Sequence, residues 1–201
     1  MNIAFDIDDV LTDPLYKNFN TNFVEAYFAK TGKRFNLLND KETFFGKMYD
    51  WSKEEIEIFW NMEGENYLRN VPVREGAKEL LEALKKVGHN NYAITQRFAL
   101  KPYEISFDWL TRNGLVFDEL IVNAKDKIDV CKDKKIDIII DDRVSTCNKL
   151  IENGVRACVM NIPTNLTEET TAPRVDTFMQ YATVIGKLDA QIKKDKELTQ
   201  N

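Results

Sequence analysis

The chain has one histidine, three cysteines and no excess of positive charge among its 201 residues. His89, in a Gly-His-Asn-Asn turn leading into a strand, is a lone imidazole and reads as a structural residue. Cys131, Cys147 and Cys158 are odd in number and lack C-x-x-C spacing, which argues against a disulfide framework or a zinc site and for buried free thiols. A net charge of −5 and a pI near 5.1 argue against stable nucleic-acid or anionic-membrane binding. No apolar run approaches bilayer length, and the N-terminus lacks the basic, apolar and small-residue regions of a signal sequence, so the expected location is the cytoplasm. Internal repeats and low-complexity segments are also missing. What remains is an ordinary globular composition, 43% hydrophobic, in a length that suits one α/β core with a modest insertion.

The most informative run is Ile3-Ala4-Phe5-Asp6-Ile7-Asp8-Asp9-Val10-Leu11-Thr12, where a strand-like apolar segment meets three carboxylates in four positions. Alternation along an extended chain predicts Asp6 and Asp8 on one side and Asp9 on the other. Like charges held this close need a cation, and a divalent metal would serve. In its field one carboxylate could attack phosphorus while the other moves a proton. Read alone, so short a run is better taken as an acidic turn after an edge strand. A second acidic pair, Asp141-Asp142, closes the β-branched run from Lys135 to Arg143, and a third strand, Asn91 to Arg97, ends in Thr95 followed by Arg97. In an open parallel sheet the three ends face one rim, which predicts that Asp6, Asp8, Thr95, Asp141 and Asp142 converge on a pocket.

With these residues in order, residues 1 to 165 resemble the haloacid dehalogenase-like (HAD) phosphatase superfamily. Its first motif, D-x-D-x-V/T, is matched by Asp6 to Val10, its second by Thr95, its third by a lysine before the last motif, and its fourth by Asp141-Asp142. The D-D-V-L-T-D start, the I-T-x-R stretch and the I-D-D-R stretch are similar to the small 5'-nucleotidase-like members. The resemblance implies that Asp6 is the nucleophile and Asp8 the acid and base. It also implies that Mg²⁺ binds Asp6, the main-chain carbonyl of Asp8 and the Asp141-Asp142 pair, with Asp142 the direct ligand and Asp141 behind it. Thr95 and the amide of Gln96 would hold phosphate oxygens. Lys127, fourteen residues before Asp141, is preferred over Lys125 as the motif lysine. Arg97 and Arg143 could each hold phosphate or a neighbouring acid.

Alternating strands and helices predict a doubly wound, mostly parallel α/β sheet over residues 1–14 and 72–188. Residues 15–71 show helical apolar spacing and read as an inserted helical cap, and 189–201 as a polar tail. Ser52 with Glu55 reads as a capping box opening a helix through Trp60. Helices are further predicted over Glu75–Val87, Pro102–Asn113, Lys127–Lys132 and Ser145–Asn153, and strands over Phe117–Val122 and, last, Arg156–Met160. The cap is dense in aromatics, and Phe44 and Phe45 beside Gly46 are the candidates for stacking on a nucleobase by resemblance. The expected activity is hydrolysis of a nucleoside 5'-monophosphate, a deoxyribonucleotide included, by a monomer or homodimer. A phosphatase for a sugar phosphate or other small metabolite, and a non-catalytic nucleotide or phosphate binder, are the alternatives.

Overall fold

The computed structural model describes residues 1–97 and 99–199. Six strands form one parallel sheet: β1 (Asn2–Phe5), β2 (Asn90–Ile94), β3 (Glu119–Ile121), β4 (Ile138–Asp141), β5 (Ala157–Met160) and β6 (Arg174–Val175). Their order across the sheet is β3-β2-β1-β4-β5-β6. Ile3 therefore lies beside Asn91 and Ile138, and Phe5 beside Ala93 and Ile140. Both faces are covered, which is why the central strands are continuous apolar runs rather than alternating ones. Ile3, Phe5, Ile140 and Met160 pack into one cluster with Trp109, Phe178 and Tyr181. Ala4, Ile139 and Val159 point the other way, into a second cluster with Cys131, Cys147 and Leu150.

The helices are α1 (Phe19–Thr31), α2 (Phe45–Met48), α3 (Lys53–Asn70), α4 (Ala77–Lys86), α5 (Pro102–Arg112), α6 (Lys127–Asp133), α7 (Val144–Glu152) and α8 (Phe178–Thr199). The first three occupy the insertion between β1 and α4. Its two legs meet at one place: Thr12 bridges Val73, Asp13 N–H donates to the Pro72 carbonyl at 2.8 Å, and Arg74 N–H to the Leu11 carbonyl at 2.8 Å. Ser52 and Glu55 form the capping box of α3 in both directions. That helix runs ten residues past Trp60, because Phe59, Tyr67 and Leu68 bury into the aromatic core of the insertion, and Glu63 pairs with Lys30 at 2.5 Å.

One further expectation is corrected. Arg156–Met160 is not the last strand, since the two-residue β6 adds an edge that is too short to leave a periodic signal. The polar tail after Leu188 is helical as far as Thr199, continuous with the buried Phe178, Tyr181 and Ile185 of α8. Gln200 and Asn201 lie outside the described residues. His89 is buried with Nδ1 3.2 Å from the N-terminal amine, and all three cysteines are buried free thiols, as their sequence contexts suggested.

Candidate active site

In the strand order, neighbours switch sides at β1, and the ends of β1 and β4 open the crevice in which doubly wound sheets place ligands. A cavity of about 1070 Å³ opens there, between the strand ends and the insertion. Asp6, Asp8, Thr95, Gln96, Arg97, Lys127, Asp142 and Arg143 all line it. Asp141 does not. It is fully buried behind the wall, with one oxygen accepting from Lys127 Nζ at 2.6 Å and the other from Arg143 N–H at 2.9 Å.

The strand ladder ends at Asp6, whose N–H donates to the Ile140 carbonyl at 2.9 Å. Thr12 N–H closes back on the Ile7 carbonyl at 3.0 Å and Asp9 takes φ +59, a left-handed conformation that aspartate tolerates better than most residues. This turn overrides the strand alternation: Asp9, expected on the opposite side, also lines the cavity. Its carboxylate accepts from Thr43 Oγ1 at 2.9 Å, joining the acidic turn to the insertion. Burial, with Asp8 and Asp13 adding to it, pushes Asp9 up to about 6.

Lys127, rather than Lys125, reaches the acids. Its Nζ lies 3.0 Å from Asp6 and 2.6 Å from Asp141, because Asp126 caps α6 and aims its first residue at the strand ends. Lys125 lines the cavity wall. Burial alone would lower the Lys127 ammonium, but Asp6 and Asp141 carry it above its ordinary range. Asp6 nevertheless rises to about 7, through burial first and the charges of Asp141 and Asp8 next, against the pull of Lys127. Asp142 is likewise held well up by burial and by Asp141 and Asp6.

Oxygens of Asp6, Asp141 and Asp142 lie within 4.8 Å of one another. One ammonium faces three clustered carboxyls, and the remaining charge suits a hard divalent cation with oxygen ligands, so these residues fit magnesium. Both Asp141 oxygens are engaged, and Asp6 accepts from Ile7 N–H at 2.8 Å and pairs with Lys127, so of the three it is Asp142 whose carboxylate is free of hydrogen bonds among the described residues.

Arg97 is fully buried. It grips Asp8 through Nε at 2.9 and 3.1 Å, with Nη2 at ion-pair distance, 2.8 Å, and its guanidinium 5.5 Å from the Trp109 ring, while neither Nη has a hydrogen-bond partner among the described residues. Thr95, directly after β2, donates its N–H to the Ile121 carbonyl, accepts from Ala124 N–H on its own carbonyl, and lines the cavity.

The two phenylalanines of the insertion separate. Phe44 is 49% exposed on the cavity wall, its ring lying so close to Gly46 that a Cβ there would meet it at 2.8 Å. Phe45 is 1% exposed, with ring centroids 4.7 Å from Phe59, 5.2 Å from Tyr67 and 5.7 Å from Trp51. Phe45 also borders the cavity, but these rings enclose it, which favours packing over stacking on a base. Lys47 and Asn61, which share the wall with Phe44 and Trp60, were not singled out in the sequence.

No protein-family model matches the chain, and no curated protein matches it. Solved structures match along nearly its whole length. A haloacid dehalogenase-like family hydrolase of Streptococcus pneumoniae is 16% identical at a TM-score of 0.66, covering 92% of this chain and 97% of that one. The chain has the HAD-like fold. A predicted phosphatase of Clostridium acetobutylicum shares this HAD-like architecture at 17% identity and a TM-score of 0.64, over 92% of this chain and 98% of that one. So does YfnB of Bacillus subtilis, assigned as a HAD hydrolase and solved bound to magnesium, at 14% identity and 0.60, over 91% and 97%.

Proposed function

We propose that this protein is a magnesium-dependent phosphomonoesterase of the HAD superfamily that acts on nucleoside 5'-monophosphates through an aspartyl-phosphate. The observation that carries the reading is the buried constellation of Asp6, Lys127, Asp141 and Asp142 at the switch of the parallel sheet, beneath a cavity walled by the insertion. Asp6 attacks phosphorus as the bond to the leaving oxygen breaks, and Asp8 gives that oxygen its proton. Asp8 then takes a proton from the water that displaces phosphate from Asp6. Lys127 neutralises the nucleophile and the incoming phosphate, with the Thr95 hydroxyl and Gln96 N–H offering donors to its oxygens. Magnesium, held by Asp6, Asp142 and the Asp8 carbonyl with Asp141 behind them, would supply charge neutralisation at the transferring group.

Residues 15–71 act as the cap in this reading, with Phe44 the stacking face for a base. Lys47, Lys125, Arg143 and Lys149 line the same cavity without an acidic partner among the described residues, which favours an anionic substrate. A second reading, a sugar phosphate or other small phosphorylated metabolite, is also favoured, because of Phe44 and Phe45 only Phe44 is exposed. The test is phosphate release over nucleoside monophosphates, sugar phosphates and p-nitrophenyl phosphate, with and without EDTA. Magnesium-dependent turnover fastest on nucleotides is expected. Fastest turnover on sugar phosphates selects the second reading, and no turnover on any ester overturns both.

A further inference from the structure

We propose that Asn165 is a positioning residue for the proposed metal site: it fixes the main chain of Asp142 and so aims that carboxylate toward Asp6. The proposal rests on the magnesium reading above. Asn165 lies in the loop between β5 and β6 and is 3% exposed. Its Nδ2 donates to the carbonyl of Asp142 at 2.7 Å and to that of Met160 at 2.9 Å, while Oδ1 accepts from Ile162 N–H at 3.2 Å and Arg174 Nη1 at 3.4 Å. One buried amide thus ties together the ends of β4 and β5, on the rim where the carboxylates stand.

The loop is itself anchored from the sheet edge. Arg174 in β6 donates through Nη2 to the carbonyls of Asn165 at 3.0 Å and Glu168 at 2.5 Å, and through Nη1 to Asn161 Oδ1 at 2.8 Å. Asp142 needs such a hold. It follows the last residue of β4 and precedes α7, and no other side chain hydrogen-bonds to it among the described residues. Asp141 and Asp6 both repel its charge. An aspartate side chain is short, so its oxygens go where its Cα goes. A hydrogen bond on the adjoining carbonyl resists the displacement that repulsion favours, which is how groups outside a ligand set tune metal affinity.

The experiment measures the magnesium dissociation constant by calorimetry and the melting temperature for the wild type, Asn165→Asp, Asn165→Ser and the control Asn161→Ala. Asn161 shares the Arg174 anchor but does not touch Asp142. Both Asn165 variants are expected to bind magnesium about ten-fold more weakly, and Asn161→Ala to lose stability with its dissociation constant unmoved. Asn165→Ser keeps the test open if the buried charge of Asn165→Asp prevents folding. Constants within two-fold of wild type in a folded Asn165 variant, or an equal change in Asn161→Ala, would overturn the proposal alone. A wild type that binds no magnesium overturns the metal reading and this proposal with it.

Discussion

Asp6 and Lys127 are 3.0 Å apart, yet the carboxyl is pushed up rather than down, because burial and two further acids outweigh one ammonium. Such a group costs the folded chain more as it ionises. Its protonated form is shared by folded and unfolded states below about pH 4, and the stability it permits is lost as pH rises toward 7; Asp9 acts likewise toward 6. In EDTA the melting temperature is therefore expected to fall between pH 5 and pH 8 by at least about 3 °C, roughly 1 kcal/mol for a chain of this size. Magnesium competes with those protons and binds the native state, so the rise in melting temperature it produces should grow over the same interval. A magnesium effect independent of pH would count against carboxylate ligation. Asp6→Asn should reduce turnover to below a few per cent of wild type with an unchanged circular dichroism spectrum, since the amide keeps the shape but is a far poorer nucleophile. Asp8→Asn should retain more activity on p-nitrophenyl phosphate than on unactivated esters, because a good leaving group needs no proton; equal losses would refute that division.

Among the elements, α3 shows what a sequence states openly and what it hides. The Ser52–Glu55 box is local chemistry and was legible, and Ser52→Ala should cost about 1 kcal/mol in urea denaturation. The second half of the helix, with its Gly64 and many polar residues, has weak intrinsic preference and is held by tertiary burial of Tyr67 and Leu68, which no local pattern announces. The acidic turn hid its geometry in the same way, since strand alternation was extrapolated to Asp9, three residues past the last ladder hydrogen bond, at Asp6. Phe44 and Phe45 are adjacent in sequence and opposite in environment, and only the packed structure tells them apart. Phe45→Ala should destabilise the protein by about 3–5 kcal/mol. Phe44→Ala should leave stability nearly unchanged and lower kcat/KM for the preferred nucleotide five-fold or more, p-nitrophenyl phosphate being affected less, as a stacked base is worth about 1–3 kcal/mol. If the two variants exchanged these effects, the assignment of the faces would be wrong.

For the whole molecule, the parallel sheet and the meeting of Asp6, Asp8, Thr95 and Asp142 were readable because three apolar runs each end in a polar group, and parallel strands bring like ends to one rim. The role of β6 in bracing that rim was not, since two residues carry no period. Charge is also unevenly spread: a chain of net −5 gathers Lys47, Lys125, Arg143 and Lys149 around its cavity. Capture of an anion should be steered by that field, so kcat/KM should drop several-fold between about 20 and 300 mM salt while kcat changes little; a flat profile would show that the overall negative charge cancels it. The crossing at Thr12–Val73, where the insertion leaves and returns, bears on how such a molecule can change over time. Closing a loop of roughly sixty residues instead of ten costs only about 1–2 kcal/mol, so the sheet is nearly indifferent to what hangs from that clasp. The segment that would choose the substrate can be lengthened, shortened or exchanged while the carboxylates keep their places, and selectivity and chemistry can be inherited separately.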